Sequence, residues 1–460
     1  MNYQDFIASK SKEVPTSGFH VETSELNENL FDWQARIVQW ALSRGRAALF
    51  EECGMGKTIQ QLAWAEQVFK KTGQPVVLHC PVGVREQTKL EAEKFGIGCP
   101  VKVVNDATEV IDGINLVNYE KIHLFDLSVF SGVVLDESSI LKNFAGKTRN
   151  AIIKGYWNTP YKLACTATPS PNDHMELGNH AEFLGVMLRE DMLSKYFVHD
   201  SGDTAKWRLR GHAKSDFWSW VSSWATCCSK PSDVGGSDDG YVLPELSVRR
   251  HELESELEQS DGMLFDIGSV NATTIHESRR KTLDLRCQKA ADITNGKDGA
   301  VIVWCDTNAE SSLLASLIPD SIEVHGTQSE KVKIEAFKKF ESGDVRVIIT
   351  KPKIAGFGMN WQHCNSQVFS GVNYSFELYY QAVRRSWRFG QEKPVSVDII
   401  VADDMNAVSS AVASKEADHR LMQTEMANAI KGNHELSVAP NLKSRYNPAN
   451  TVTIPSFIGD

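Results

Sequence analysis

Residues 47–73 read AALFEECGMGKTIQQLAWAEQVFKKTG, and the fold is decided by how this stretch is parsed. It opens with a short apolar run, turns at Gly54 and Gly56, and continues in a helical pattern. Strand, glycine turn and helix in this order make an anion-binding loop. The glycines let the backbone curl so that successive N–H groups face a phosphate at a helix N-terminus. Gly54, Met55 and Gly56 form the turn, Lys57 supplies charge for the outer phosphates, and Thr58 offers a hydroxyl ligand for Mg²⁺. The longer GxxxxGK[ST] form has glycine where this chain has Glu51, so the loop by itself is a short motif that needs its context.

That context extends in both directions. Upstream, LFDWQARIVQWALSRG places Phe31, Ala35, Val38 and Leu42 at three-to-four spacing, which predicts an amphipathic helix. Downstream, VVLHCP reads as a strand, residues 84–95 as a helix, and INLVNY, GVVLDE and YKLACTATP as strands. Short apolar strands alternating with helices imply a parallel sheet covered on both faces. The first α/β domain is expected over residues 30–188, after an N-terminal extension of residues 1–29. A second alternating block starts at a helix near 279–294 and runs through AVIVWC, SIEVHG, VRVIIT, SQVFSG and VSVDIIVA, giving a second parallel-sheet domain over 278–404. A helical C-terminal extension and polar tail occupy 405–460.

Between the domains lies a connector, 189–277, that holds Trp207, Trp218, Trp220 and Trp224 and the acidic turn SDVGGSDDGY. Phe217, Trp220, Val221 and Trp224 fall on one helical face. Such a stripe reads first as the core of a small helical insertion. The cations Lys195, Arg208, Arg210 and Lys214 just before it keep base stacking and phosphate contact open as the alternative.

Three further stretches carry chemistry. GVVLDESSILKN ends an apolar strand in Asp136 and Glu137, two carboxylates at the sheet edge where open α/β sheets bind ligands. Asp136 suits the shell of Mg²⁺ and Glu137 suits polarising an attacking water. LACTATPSPND ends another strand in Thr166 and Thr168, whose hydroxyls can bond the Asp136 and Glu137 strand end. In the second domain, YYQAVRRSWRFGQ sets Arg385 and Arg388 three apart, with Gln381 one turn earlier on the same side. Paired arginines suit the spreading charge of a phosphoryl group in transfer; a solvent- or phosphate-facing basic helix is the plain alternative.

Composition excludes several classes. Apolar residues make up 42% and charged residues 23%, a globular balance, and no apolar run approaches a membrane span. The start, MNYQDFIASKSKEV, lacks the pattern of a signal peptide, so a cytoplasmic protein is expected. The nine cysteines include no CxxC pair, which points to reduced thiols and no structural metal. A net charge of −10 argues against a broad nucleic-acid surface while leaving room for a narrow basic track.

Taken in order, these stretches resemble the superfamily-two helicases, and within them the Swi/Snf-type double-strand DNA translocases. DWQARIVQWAL resembles the opening Gln motif, which puts Gln34 near the adenine. FEECGMGKTIQ resembles motif I, where the family also carries an acid at the place of Glu51. VVLHCPVGV resembles motif Ia, VVLDESSILKN motif II with its Lys142-Asn143 tail, TATPSPND motif III, KIAGFGMNW motif V through Gly356, Gly358 and Asn360, and QAVRRSWRFGQ motif VI through Arg385, Arg388 and Gln391. The resemblance implies two tandem RecA-like domains with ATP and Mg²⁺ bound between them. Glu137, Lys57, Gln381, Arg385 and Arg388 would be catalytic. Gln34, the 54–58 loop, Gly356 and Gly358 would hold the nucleotide, and Thr58 and Asp136 the metal. Departures are Ser138-Ser139 for Ala-His or Ala-Asp, Ala167 for glycine, Lys351-Pro352 for Ser-Thr, and Trp387 for His. In its economy the chain is similar to compact helicases carried by bacteriophages.

Three functions follow: a duplex DNA translocase, a strand-separating DNA or RNA helicase, and a remodeller that displaces protein from DNA. Contacts to the phosphate backbone are expected from the loops after Pro81, Tyr119 and Gly326 and from 351–353, and a protein partner from the connector or tail.

Overall fold

The apolar runs at 46–51, 76–80, 114–118, 132–136 and 161–165 are buried on nearly every residue. A strand can bury both faces only inside a parallel sheet roofed by helices on each side. The computed structural model, which describes residues 17–199, 207–253, 280–356, 359–371, 375–402 and 406–432, has two such sheets.

The first sheet contains β1 (Arg46–Glu51), β2 (Val76–Cys80), β3 (Val101–Val103), β4 (Ile114–Asn118), β5 (Gly132–Asp136) and β6 (Tyr161–Cys165). A small antiparallel pair, β7 (Phe197–His199) and β8 (Trp207–Leu209), stands apart from it. The seventh strand of the first sheet is β9 (Ala225–Cys228), and the order is β3-β4-β2-β5-β6-β1-β9. Successive side chains divide between its faces. Ala47 and Leu49 join one core with the helices α1 (Asp32–Arg44), α2 (Lys57–Thr72) and α3 (Arg85–Lys94). Ala48 and Phe50 join the other core, with α4 (Lys147–Gly155), α5 (Leu177–Leu184), α6 (Arg189–Tyr196) and α7 (Lys214–Ser222).

The second sheet has six strands: β10 (Leu246–Leu253), β11 (Val301–Trp304), β12 (Ser321–Val324), β13 (Val347–Thr350), β14 (Ser366–Phe369) and β15 (Val395–Ala402). Their order is β10-β15-β14-β11-β13-β12, again parallel throughout. One face is covered by α8 (Leu283–Asn295) and α9 (Asn308–Leu317), the other by α10 (Glu330–Glu341), α11 (Pro352–Ala355) and α12 (Phe376–Val383). The expected pair of parallel-sheet α/β domains is present. No helix among the described residues is long and apolar enough to cross a membrane.

The connector differs from its expected form. The described residues of 189–277 do not form a separate piece, because β9 pairs with β1 (Ala48 with Ala225, Glu51 with Cys228) and β10 pairs with β15 over eight residues. The first domain therefore runs on to β9, and the second begins at β10. The Trp-bearing helix is core, as its stripe suggested: Phe217, Trp218, Trp220, Val221 and Trp224 are all buried in the β1 face. The C-terminal extension is not free-standing either. Its helix, α13 (Asn406–Gly432), inserts Met422 and Met426 into that same core. Phe31, expected on the buried face of α1, instead caps the helix and is 54% exposed.

If α7 and β1 share one core, Phe217→Ala should cost about 3–5 kcal/mol of first-domain stability. Hydrogen exchange at the β1 amides then speeds up along with that of α7. Unchanged β1 protection would mean that the connector folds on its own.

Candidate active site

The chemistry-bearing segments meet because β1, β5 and β6 are neighbours in a parallel sheet and so end on the same edge. The loop after β1 turns through Gly54 (φ 90°) and Gly56 (φ 79°), left-handed conformations that glycine adopts without strain. Space matters at Gly56 as well: a Cβ there would stand 2.4 Å from Gln34 Nε2. Gln34 braces the loop. Its amide donates to the Met55 carbonyl (2.9 Å) and its Oε1 accepts from the Phe31 amide (3.0 Å). Helix α2 then starts at Lys57 with Gly56 as its N-cap and no side-chain cap, so its first N–H groups remain for a ligand. Thr58 is the second residue of that helix and half-buried. Lys57 Nζ donates to the carbonyls of Glu51 (2.9 Å) and Glu52 (3.1 Å). Glu51 is fully buried, accepts from Gln60 (2.8 Å), and is pushed up by burial to about 7 against the pull of Lys57.

At the end of β5, Asp136 Oδ1 accepts from Gln61 (2.8 Å), and the Tyr119 hydroxyl holds the Asp136 carbonyl (2.7 Å). Burial raises the Asp136 carboxyl. Glu137 has φ 56°, a left-handed conformation that costs a residue with a side chain about 1 kcal/mol or more. That turn aims its carboxylate into the cleft, where Oε2 accepts from Thr166 Oγ1 (3.3 Å) and from Gln381 Nε2 of the second domain (3.4 Å). Burial first, then the neighbouring charge of Asp136, pushes Glu137 up to about 7. Ser138, in the departure from the family motif, lies 3.0 Å from His180 Nε2. Thr168 is buried beside Thr166, its amide donating to the Thr166 hydroxyl (3.0 Å).

The two arginines are not on a helical face. Helix α12 stops at Val383, whose carbonyl is taken by Gln367 Nε2 (3.0 Å), so Arg385 and Arg388 lie in the turns that follow. They still converge, both donating to the Met359 carbonyl (2.9 and 3.2 Å), and Arg385 also bonds Gln381 O and Oε1. Gln381 is thus brought to Glu137, whereas Arg385 and Arg388 point at their own domain. Gly356 ends α11, and Gly358 lies outside the described residues. Trp387, in place of the family's His, donates to the Pro244 carbonyl (2.7 Å) and lies under the Arg384 guanidinium (4.4 Å).

Sequence reasoning missed Glu52, Tyr380, Arg384 and Gln423. Arg384 Nη2 lies 2.7 Å from Glu52 Oε2, the Tyr380 hydroxyl donates to Glu52 Oε1, and Gln423 of α13 approaches Glu52 Oε2 at 3.4 Å. The one sequence signal was that Arg384 adjoins Arg385 and cannot share its direction.

The residues fit a magnesium–nucleotide. The uncapped start of α2, the glycine cradle under Gln34 and the Lys57 ammonium make an anion site, and Asp136 with Thr58 supplies hard oxygen donors on one side of it. Among the described residues no cluster of three His, Cys, Asp or Glu side chains could hold a metal by itself, so the ion would have to share its shell with phosphate.

Residues 280–390 match the helicase conserved C-terminal domain. The chain is similar to Protein CHROMATIN REMODELING 8 of Arabidopsis thaliana, 33% identical over 85 residues, or 17% of this chain. That stretch is 7% of the relative's length. It is also similar to the Sulfolobus solfataricus SWI2/SNF2 ATPase core solved in complex with dsDNA. There the identity is 17% and the TM-score 0.44, over 90% of this chain and 99% of that one.

A carboxyl raised to about 7 serves as a base only when ionised. With Glu137 as the base for water, kcat/KM for ATP should fall about tenfold per pH unit below pH 7. Glu137→Gln should still bind ATP, hydrolyse it ~10²-fold or more slowly, and lose that acid limb. Lys57→Ala should instead weaken triphosphate binding. Near-normal turnover in Glu137→Gln removes the assignment.

Proposed function

We propose that this chain is an ATP-driven motor that moves along duplex DNA and hydrolyses ATP in the cleft between its two α/β domains. The observation that carries the reading is the contact of Gln381, from the second domain, with Glu137 beside the phosphate loop of the first. A water-activating acid in one domain with its partner in the other makes hydrolysis depend on closure, and closure is what a motor converts into movement. The match of residues 280–390 to the helicase C-terminal domain supports the same assignment for the second half.

In this reading Glu137 takes the proton of the attacking water, with Gln381 and Thr166 fixing its carboxylate. Lys57 leaves the Glu51 and Glu52 carbonyls for the outer phosphates. Thr58 and Asp136 would hold Mg²⁺, which when bound withdraws charge from the phosphate oxygens. Arg385 and Arg388 reach the transferring phosphate by leaving the Met359 carbonyl. Nucleic acid lying across both domains favours that state.

Duplex DNA is the preferred track. The Arabidopsis relative is named for chromatin remodeling. The loops proposed to hold the backbone, after Pro81, Tyr119 and Gly326 and at 351–353, all follow the C-terminal ends of strands β2, β4, β12 and β13. Such contacts carry no base code, so binding should be sequence-tolerant and weaken steeply with salt.

ATP turnover measured in parallel with duplex DNA, single-stranded DNA and RNA should be stimulated most by the duplex. The protein should displace a third strand from a triplex and separate a forked duplex poorly. Arg388→Ala should retain nucleotide binding and lose stimulated turnover by ~10³-fold, the scale of an arginine finger. Turnover driven only by single strands, with efficient fork unwinding, would replace the translocase with a helicase.

A further inference from the structure

Helix α12 and the residue just past it present one face to the first domain. Glu377, Tyr380, Gln381 and Arg384 stand at i, i+3, i+4 and i+7, and all four cross the cleft. Glu377 pairs with Lys142 of the motif II tail. Gln381 meets Glu137 and accepts from the Cys53 thiol (3.6 Å). Tyr380 and Arg384 both close on Glu52.

Glu52 is the most heavily engaged carboxylate in the cleft. It belongs to the phosphate loop and takes its own loop's Cys53 amide on Oε1 (2.7 Å). It also takes Tyr380 and Arg384 from the second domain and Gln423 from the C-terminal helix (3.4 Å). Both ion partners are almost fully buried, at 9% and 6% side-chain exposure. Burial raises the Glu52 carboxyl, and Arg384 with Tyr380 overcomes it, holding the group down at about 2. Arg384 is further clasped between the Tyr380 and Trp387 rings (5.5 and 4.4 Å). Arg385 and Arg388, by contrast, spend their hydrogen bonds inside their own domain, on the Gln381 and Met359 carbonyls.

We propose that Glu52 and Arg384 form a closure latch, in which Arg384 is a positioning residue that clamps the second domain onto the phosphate loop and leaves Arg385 and Arg388 free for the nucleotide. The C-terminal helix, whose Met422 and Met426 pack in the first domain's core, adds Gln423 to the same carboxylate. Removing either charge strands the other in a buried site, which a domain pair relieves by opening and letting water in. The kinetic consequence rests on the motor reading above; the structural consequence does not.

Small-angle X-ray scattering of the full, ligand-free chain tests the structural part. Arg384→Gln and Glu52→Gln should each increase the radius of gyration, and the double variant should open no further than either single one. Scattering identical to the wild type in Arg384→Gln overturns the latch. Should that variant fold poorly, Tyr380→Phe removes only a hydroxyl and is expected to shift scattering in the same direction by less; no shift there overturns the latch equally. For turnover, Arg384→Gln should raise the duplex concentration giving half-maximal stimulation about tenfold, because nucleic acid must now supply the lost closure. Turnover at saturating duplex should fall by less than about threefold. A loss confined to saturated turnover would make Arg384 catalytic and defeat the positioning role. If the variants open but the wild type is stimulated by no nucleic acid, the motor reading fails and the latch stands.

Discussion

Two adjacent carboxylates at the end of β1 are taken out of water, and their surroundings treat them in opposite ways. Glu51 is raised to about 7, with Gln60 as its hydrogen-bond partner, while Glu52 is lowered to about 2 by Arg384 and Tyr380. The difference is geometric. Alternation along the strand turns Glu51 into the first domain beside α2, where its job is to shape the phosphate loop. The next residue faces the cleft, where its ion partner, Arg384, comes from the second domain. A buried carboxylate without a cation is costly, so the position of Glu52 fixes where the second domain can sit.

The remaining charges in the cleft follow from that placement. Asp136 and Glu137 are both raised by burial, and Lys57 is the near cation on their side. Opposite them, Arg385 is buried and Arg388 half-buried, and both bond carbonyl oxygens rather than carboxylates. Burial pushes Arg388 down to about 10, with Arg385 adding to the effect. Arg385 feels the charges of Glu137 and Asp136 without bonding either, whereas Arg384 is paired directly with Glu52. A polyanion entering the cleft therefore meets two guanidiniums bonded to carbonyls alone while leaving the Glu52 pair intact. The three arginines, close in sequence, are thus divided by their partners: Arg384 meets a carboxylate of the other domain, and Arg385 and Arg388 meet carbonyls of their own.

Much of this was legible in the residues. Strands buried on both faces announce themselves as unbroken apolar runs, which is why β1, β2, β4, β5, β6, β11, β13, β14 and β15 could be read directly. Five escaped: the small antiparallel pair β7 and β8, and β3, β9 and β10, which are edge strands of the two large sheets. β3 and β10 carry charged side chains and are largely half-buried or exposed, and β9 is only four residues of Ala, Thr and Cys. An edge strand borrows its partner from elsewhere in the chain, and no local pattern records which partner. The site divides in the same way. Lys57, Asp136, Glu137 and Thr166 come together because each ends a neighbouring strand, a rule visible in sequence. Glu52 with Arg384, 332 positions apart, is a contact between domains and leaves no local trace.

The same long-range economy explains the Trp-rich connector and the C-terminal helix. Both contribute to one core on the first domain, where Met422 and Met426 of α13 meet the cluster that holds Trp220 and Trp224. The chain thus crosses from the first domain to the second between β9 and β10, and returns after β15. Each crossing is anchored by packing: β9 and β10 are sheet edges on opposite sides of the first link, and α13 lies against α7 and β9. A body tied to another at two points cannot tumble. Two such crossings narrow the ways in which the second domain can move, and hinge closure of the cleft is a motion they allow. Glu52 is held from both sides of this arrangement, by Arg384 on the moving domain and by Gln423 on the returning helix. Opening the cleft must therefore break the contacts of Glu52 with Arg384 and Tyr380.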